Sequence, residues 1–225
     1  RSLQVSNFNI NSLSDGKTTL YVVIPPDKLQ SHAQWLRLVV TTAMRSVVRN
    51  KNKRVTFVLD EFAALGYLPE INTALSTYAG YNITVWAILQ DLGQLKKHYG
   101  EGWETFLSNT AVRHFFGVTD RFTTDYLSQL FGESTYITYK NNGVSGSTPH
   151  ASARRLATAD EIRRGSADNI FTIVEQRPPT YFPKVPYYEM PHLANTYDRN
   201  PYFNPEAQVK EAEQPFAQMS AYHHN

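Results

Sequence analysis

Two acids, Asp60 and Glu61, stand side by side directly after the apolar run Val55-Thr-Phe-Val-Leu59. An acid pair at the end of a buried strand suits nucleotide hydrolysis, where one carboxylate holds Mg²⁺ through water and the other positions or polarises the attacking water. A glutamine, Gln90, closes the next apolar run, Asn82-Ile-Thr-Val-Trp-Ala-Ile-Leu-Gln90. At that place a glutamine can orient the water or sense the γ-phosphate. Each residue also has a plainer reading: Asp60 as the cap of a following helix, Gln90 as a loop contact. Their separation by a single helical crossover makes the combination more specific than its parts. A hydrolase built on the two carboxylates alone is a poorer fit, because adjacent residues do not readily flank a bond at the ~5 to 9 Å that chemistry needs.

The elements that must hold these residues follow from the apolar pattern. Val55 to Leu59 is β-branched and aromatic and is preceded by the basic turn Arg49 to Arg54, which predicts a buried strand. Upstream, Thr18-Thr-Leu-Tyr-Val-Val-Ile24 predicts another buried strand, stopped by Pro25-Pro26, after a polar lead-in over residues 1 to 17. Between the two, Ser31-His-Ala-Gln34 has the spacing of a capping box. Trp35, Leu36, Val39, Val40, Ala43, Met44 and Val47 then recur at helical spacing. Strand, helix, strand implies parallel pairing, with Ile24 and Asp60 ending on one sheet edge, where open α/β sheets bind ligands.

Beyond Gly66 the alternation continues. Pro69 opens a helix with Ile71, Leu75 and Tyr78 inside and Gly80 as its stop. After Gln90, Asp91 is the N-cap of a short helix ending at Gly100, and a second helical piece covers about Trp103 to Ser108. Val112 to Val118 predicts a fourth strand, with Asp120 capping a helix closed by Gly132. Thr135 to Lys140 reads as an edge strand, Asn141 to Pro149 as a Gly/Ser/Asn loop, and Thr158-Ala-Asp-Glu161 as a capping box for a helix ending near Gly165. Ile170 to Glu175 and Thr180 to Tyr187, split by Arg177-Pro-Pro179, read as a closing antiparallel hairpin. The expected organisation is an α/β domain over 1–190, a parallel sheet flanked by helices with a C-terminal hairpin, and an irregular Pro-rich tail over 191–225.

Composition narrows the classes. The 225 residues carry 22 Lys and Arg against 20 Asp and Glu, a formal charge of +2, which is no footprint of a dedicated nucleic-acid binder. With no cysteine, disulfides, thiolate zinc sites and a cysteine nucleophile are excluded. The histidines have no metal-ligand spacing, so no metal bound directly by protein ligands is expected. No apolar run approaches the ~20 residues of a membrane-spanning helix. The chain opens at Arg1 without Met, as a segment of a longer polypeptide would.

The string Val55-Thr-Phe-Val-Leu-Asp-Glu-Phe-Ala-Ala-Leu-Gly66, then Thr77-Tyr-Ala-Gly-Tyr81, then Ile88-Leu-Gln-Asp-Leu-Gly-Gln-Leu-Lys-Lys-His-Tyr-Gly100, resembles the motor domain of type IV secretion coupling proteins, the hexameric ATPases of conjugation. Thr19 to Pro26, Phe115-Phe-Gly-Val-Thr-Asp120 and Ala157 to Arg164 agree with it in the same order. The resemblance covers about residues 8 to 190. It implies a RecA-like ATPase using ATP and Mg²⁺, tethered at the cytoplasmic face of the bacterial inner membrane by a segment outside this sequence. Its partners would be other copies in a hexamer, a relaxosome or secreted protein substrates, the secretion channel, and DNA. Asp60 and Glu61 take the Walker-B roles, with Asp60 on Mg²⁺ through water, and Gln90 takes the water-sensing role.

Two departures qualify what the resemblance implies. No G-x-x-x-x-G-K-[ST] string occurs, so the chain lacks the loop whose amides and lysine cradle the β- and γ-phosphates. It is therefore expected to hold half a site and to be inactive in ATP hydrolysis by itself. Many family members also carry an arginine, apt to reach a neighbouring subunit's nucleotide, where this chain has Ala79. Arg113 and Arg121 are the candidate replacements as phosphate contacts, against the reading that both are solvated surface charges. Lys96 and Lys97 are a solvated pair or a contact to DNA phosphates. The alternative to a motor is a substrate-recruitment or assembly module that does not hydrolyse nucleotide.

Overall fold

The computed structural model describes residues 8–50, 53–141 and 147–197. It divides into two compact units, Arg1–Pro183 and Lys184–Asn225. The first unit is α/β. A long helix, α1 (Ala33–Asn50), precedes strand β1 (Val55–Leu59), helix α2 (Pro69–Thr77) and strand β2 (Ile83–Ala87). Strands β1 and β2 pair in parallel, from Val55 opposite Ile83 to Leu59 opposite Ala87. One face of the pair packs on the core and the other stays open, with Val58 57% and Trp86 60% exposed.

The amphipathic helices enclose that core. On α1, Val40, Ala43, Met44 and Val47 are buried as their spacing predicts, whereas Trp35 in the first turn is exposed. Helices α3 (Leu92–Tyr99) and α4 (Trp103–Ser108) bring Leu95, Tyr99, Trp103, Phe106 and Leu107 inside. The Tyr99 ring stacks on Phe62 at 6.0 Å and tilts against Phe106 at 4.8 Å. Such ring pairs add directional attraction to the burial of their area. The caps read from Asp91 and Asp120 form: Asp91 accepts from the Gln94 amide at 2.8 Å, and Asp120 from the Thr123 amide at 2.8 Å.

Strand β3 (Val112–Phe115) and helix α5 (Arg121–Leu130) are followed by the hairpin of β4 (Glu133–Asn141) and β5 (Ser147–Arg155). Helix α6 (Ala159–Gly165), strand β6 (Asn169–Val174) and strand β7 (Thr180–Pro183) complete the unit. The Thr158–Glu161 capping box of α6 is present in both directions. Strands β6 and β7 form the expected antiparallel hairpin. In the second unit, single 3₁₀ turns at Tyr187–Glu189 and Pro191–Leu193 sit beside edge-on rings of Tyr187 and Tyr197, 4.8 Å apart. Among the described residues no helix is long and apolar enough to cross a membrane.

Five expectations are corrected. Thr18 to Ile24 forms no strand; Tyr21 is 82% and Val23 86% exposed, because an apolar run becomes a strand only where a ladder partner lies beside it. The strand–helix–strand unit is instead β1, α2 and β2. Val112 to Val118 adds no fourth parallel strand: β3 pairs antiparallel with β6, so the parallel sheet has two strands among the described residues. Ser31 makes no capping box. Its hydroxyl donates to the Lys28 carbonyl at 2.9 Å, inside helical turns already begun at Pro26–Lys28. The stop after α2 is Asn82 at φ 62°, not Gly80, since a 3₁₀ turn at Tyr78–Tyr81 extends the helix past the glycine. Ser147 to Arg155, read partly as loop, is β5, a strand without apolar alternation whose pairing with β4 is carried by the main chain. The loop residues 142–146, the lead-in 1–7, residues 51–52 of the basic turn, and the tail from 198 onward lie outside the described residues.

Candidate active site

Asp60 follows β1, and Gln90 lies three residues past β2, so the parallel register sets both at the same end of the pair. Two further main-chain bonds extend that register. The Ile88 amide donates to the Leu59 carbonyl at 3.0 Å, and the Phe62 amide donates to the Ile88 carbonyl at 3.2 Å. The acidic pair is thereby bracketed by bonds to the strand that leads to Gln90.

The reading of Asp60 as a cap does not hold. Glu61 is the residue before the 3₁₀ turn Phe62–Leu65, at φ −108° and ψ 69°, and its side chain makes no cap bond. Among the described residues neither carboxylate takes a hydrogen bond or an ion pair, and both residues are exposed. The turn after them is anchored instead by burial of Phe62 and Leu65, 1% and 2% exposed. Two unpartnered carboxylates at a strand end carry the hard oxygen donors that a hydrated divalent cation prefers. The sequence holds no G-x-x-x-x-G-K-[ST] loop, so the residues gathered here fit the metal side of a nucleotide site.

Gln90 sits in a turn of defined shape. Its amide donates to Gln94 Oε1 at 3.3 Å, and Asp91 caps α3 beside it. A Cβ on Gly93 would come within 3.0 Å of the Asp91 carboxylate, so the glycine leaves room for the cap. Among the described residues the Gln90 side chain has no hydrogen-bond partner and is exposed. The buried Leu92 amide donates to Thr123 Oγ1 at 3.1 Å, tying this turn to α5.

The candidate arginines lie elsewhere in the fold. Arg113 is on β3, in the antiparallel sheet, and its guanidinium meets the Tyr126 phenol. Burial raises the Tyr126 pKa, and the charge of Arg113 works against that rise. Arg113 Nε is buried without a partner among the described residues. Arg121, its side chain 91% exposed, pairs with Asp125 at 3.3 Å one turn along α5. Neither is joined to the acidic pair by a described contact. Ala79 stands in the 3₁₀ turn Tyr78–Tyr81. Lys96 places its ammonium 5.3 Å from the centre of the Phe122 ring, and Lys97 is exposed.

Sequence reading missed two residues around the site. Gln94 was legible in principle as the third residue of the helix that Asp91 caps, a position whose side chain reaches back to an amide before the helix. Arg37 was not: it lies on α1 and donates through Nη1 to the Leu65 carbonyl at 3.2 Å, across a separation that no local pattern encodes.

The family described as type IV secretory system conjugative DNA transfer matches residues 2–219. Protein VirD4 of Rhizobium radiobacter is 31% identical over 206 residues, 86% of this chain and 30% of that protein. Conjugal transfer protein TraG of Rhizobium radiobacter is 29% identical over 185 residues, 77% of this chain and 29% of that protein. The chain thus spans less than a third of the length of these curated relatives. Among solved structures, the bacterial conjugative coupling protein TrwB matches with a TM-score of 0.66 at 19% identity, over 79% of this chain and 44% of that one. The same protein in complex with ADP and Mg²⁺ matches at 0.63. At that identity the likeness is one of fold, the RecA-like coupling-protein fold.

Proposed function

The chain belongs to the type IV secretory system conjugative DNA transfer family, and from that premise we propose that it carries the water- and metal-handling half of a Mg-ATP-dependent coupling motor. The observation that carries this reading is the pair of unpartnered acids, Asp60 and Glu61, held at one end of a parallel strand pair whose second strand leads to Gln90. Asp60 would hold the hydrated cation, Glu61 would accept a proton from or orient the attacking water, and Gln90 would contact that water or the terminal phosphate. Bound Mg²⁺ would supply charge neutralisation for the transferred phosphoryl group. TrwB has been solved with ADP and Mg²⁺ and with a non-hydrolysable ATP analogue, which supports the choice of nucleotide. The phosphate cradle comes from polypeptide other than these 225 residues. The assembled motor is a hexamer at the cytoplasmic face of the inner membrane, passing relaxosome DNA or protein substrates to the secretion channel.

The test is Glu61→Gln in donor cells whose conjugation depends on this protein. Transfer should fall to background while the variant accumulates to the wild-type level. Transfer that persists near the wild-type frequency removes the hydrolytic reading and leaves substrate recruitment as the function.

A further inference from the structure

We propose that Arg37 of α1 is a positioning residue for the acidic pair, an inference that rests on the reading of Asp60 and Glu61 as metal- and water-handling acids. Glu61 has no side-chain bond of its own among the described residues, so its place is set by the main chain on either side of it. On the upstream side that is β1. Downstream it is the turn Phe62–Leu65, in which the Ala64 amide donates to the Glu61 carbonyl and the Gly66 amide to the Ala63 carbonyl, each at 3.0 Å. A 3₁₀ turn of this length has poor internal hydrogen-bond geometry and leaves carbonyls at its end without intrahelical donors.

Arg37 supplies the missing donor. Its Nη1 reaches the Leu65 carbonyl at 3.2 Å, a bond strengthened by the guanidinium charge. No carboxylate pairs with Arg37 among the described residues, so this main-chain contact is the described use of its head group. The next residue, Gly66, sits at φ 61° and ψ −151°, a region open in practice to glycine alone. A Cβ there would lie 3.4 Å from Arg37 Nη1 and 4.0 Å from His98 Nδ1. The chain leaving the acidic pair therefore passes between α1 and α3, and α3 is the helix that begins beside Gln90. Arg37 closes the joint at which the turn after the acidic pair meets α3, the helix that starts just after Gln90.

Reacting groups must be held to fractions of an ångström, and a displacement of about 1 Å can cost on the order of 100-fold in rate. Arg37→Ala is the direct test, with Arg37→Lys as the variant that keeps a charged donor on a flexible stem. In the 225-residue chain, amide hydrogen exchange at Ala64 and Gly66 should accelerate about tenfold or more in Arg37→Ala, with exchange in β1 unchanged and Arg37→Lys close to wild type. In the polypeptide or complex that unites this chain with the phosphate loop, Arg37→Ala should lower kcat about 10- to 100-fold with KM for ATP within about twofold. Unchanged kcat, or a raised KM with kcat intact, overturns the proposal, the second result making Arg37 a phosphate contact instead. Glu61→Gln is measured alongside. If it retains full hydrolysis, the acidic-pair reading has failed, while the exchange data still report whether Arg37 holds the turn.

Discussion

The Phe62 amide donates to the Ile88 carbonyl at 3.2 Å, so the turn that carries the acidic pair and the strand that leads to Gln90 are bonded beyond the end of the ladder itself. Because this bond and the one from Ile88 to Leu59 flank Asp60 and Glu61, the acids and the glutamine share one rigid main-chain frame. Asp60→Asn and Glu61→Gln leave that frame intact and change only the chemistry. Both should keep the wild-type unfolding free energy within about 0.5 kcal/mol, as exposed substitutions do, while ATP hydrolysis by the complete motor is lost. Urea titration and a phosphate-release assay on the same preparations check the pair of outcomes.

Gln90→Ala separates water handling from nucleotide binding. With the Gln90 amide still bonded to Gln94, the turn keeps its shape. Hydrolysis should fall by about 10²-fold, the scale of removing one general acid–base or orienting group, and fluorescent-nucleotide affinity should stay within about twofold. Lost affinity with kcat preserved would make Gln90 a binding residue.

Gly66→Ala tests the backbone at the joint. Alanine at φ 61° and ψ −151° is strained whatever the space around it, and the cost is about 1–3 kcal/mol. The midpoint in urea should drop by the corresponding amount. Gly80→Ala, at a position with nothing within 4 Å of an added Cβ, serves as the control and should be nearly neutral.

Tyr99 gives the fold an alkaline limit. Burial pushes its phenol up to about 12 from 10.0, against the opposing effect of the Leu68 amide that donates to it. The unfolded chain releases this proton first as pH rises. The contribution is therefore complete below pH 10 and is lost as pH climbs towards about 12. Tyr99→Phe should cost about 1 kcal/mol at pH 8, because the Leu68 amide loses its acceptor. The difference from wild type should narrow between pH 10 and 12 in denaturant titrations at each pH.

Thr158→Ala should destabilise by about 1 kcal/mol, the usual worth of an N-cap. The Thr158 amide and hydroxyl, and then Arg154, hold the Glu161 carboxyl below its ordinary value of 4.5. That stabilisation is present above the ordinary value and lost as pH falls through the lower folded one. Thermal melts at pH 7 and pH 3 should accordingly show a smaller gap between variant and wild type in acid.

Much of this molecule is written in short-range pattern. The caps at Asp91, Asp120 and Thr158, the inner face of α1, the strand ending in Asp60-Glu61 and the hairpin around Arg177-Pro-Pro179 all depend on neighbours within a turn or a strand, and the sequence alone determined them, though β1 is half-buried with one face open and not the fully buried strand expected. Strand identity failed where pairing decides it. Thr18 to Ile24 has the apolar content of a strand and no ladder partner among the described residues, Ser147 to Arg155 has a partner and no apolar signal, and β3 turned antiparallel because β6 lay beside it. The same division runs through the candidate site. Asp60, Glu61 and Gln90 could be read from residue type at strand ends. That the acids are uncapped, that Phe62 reaches Ile88, and that Arg37 closes the turn at Leu65 were decided only by the tertiary structure, since each depends on groups far apart in the chain and brought together by packing around one core.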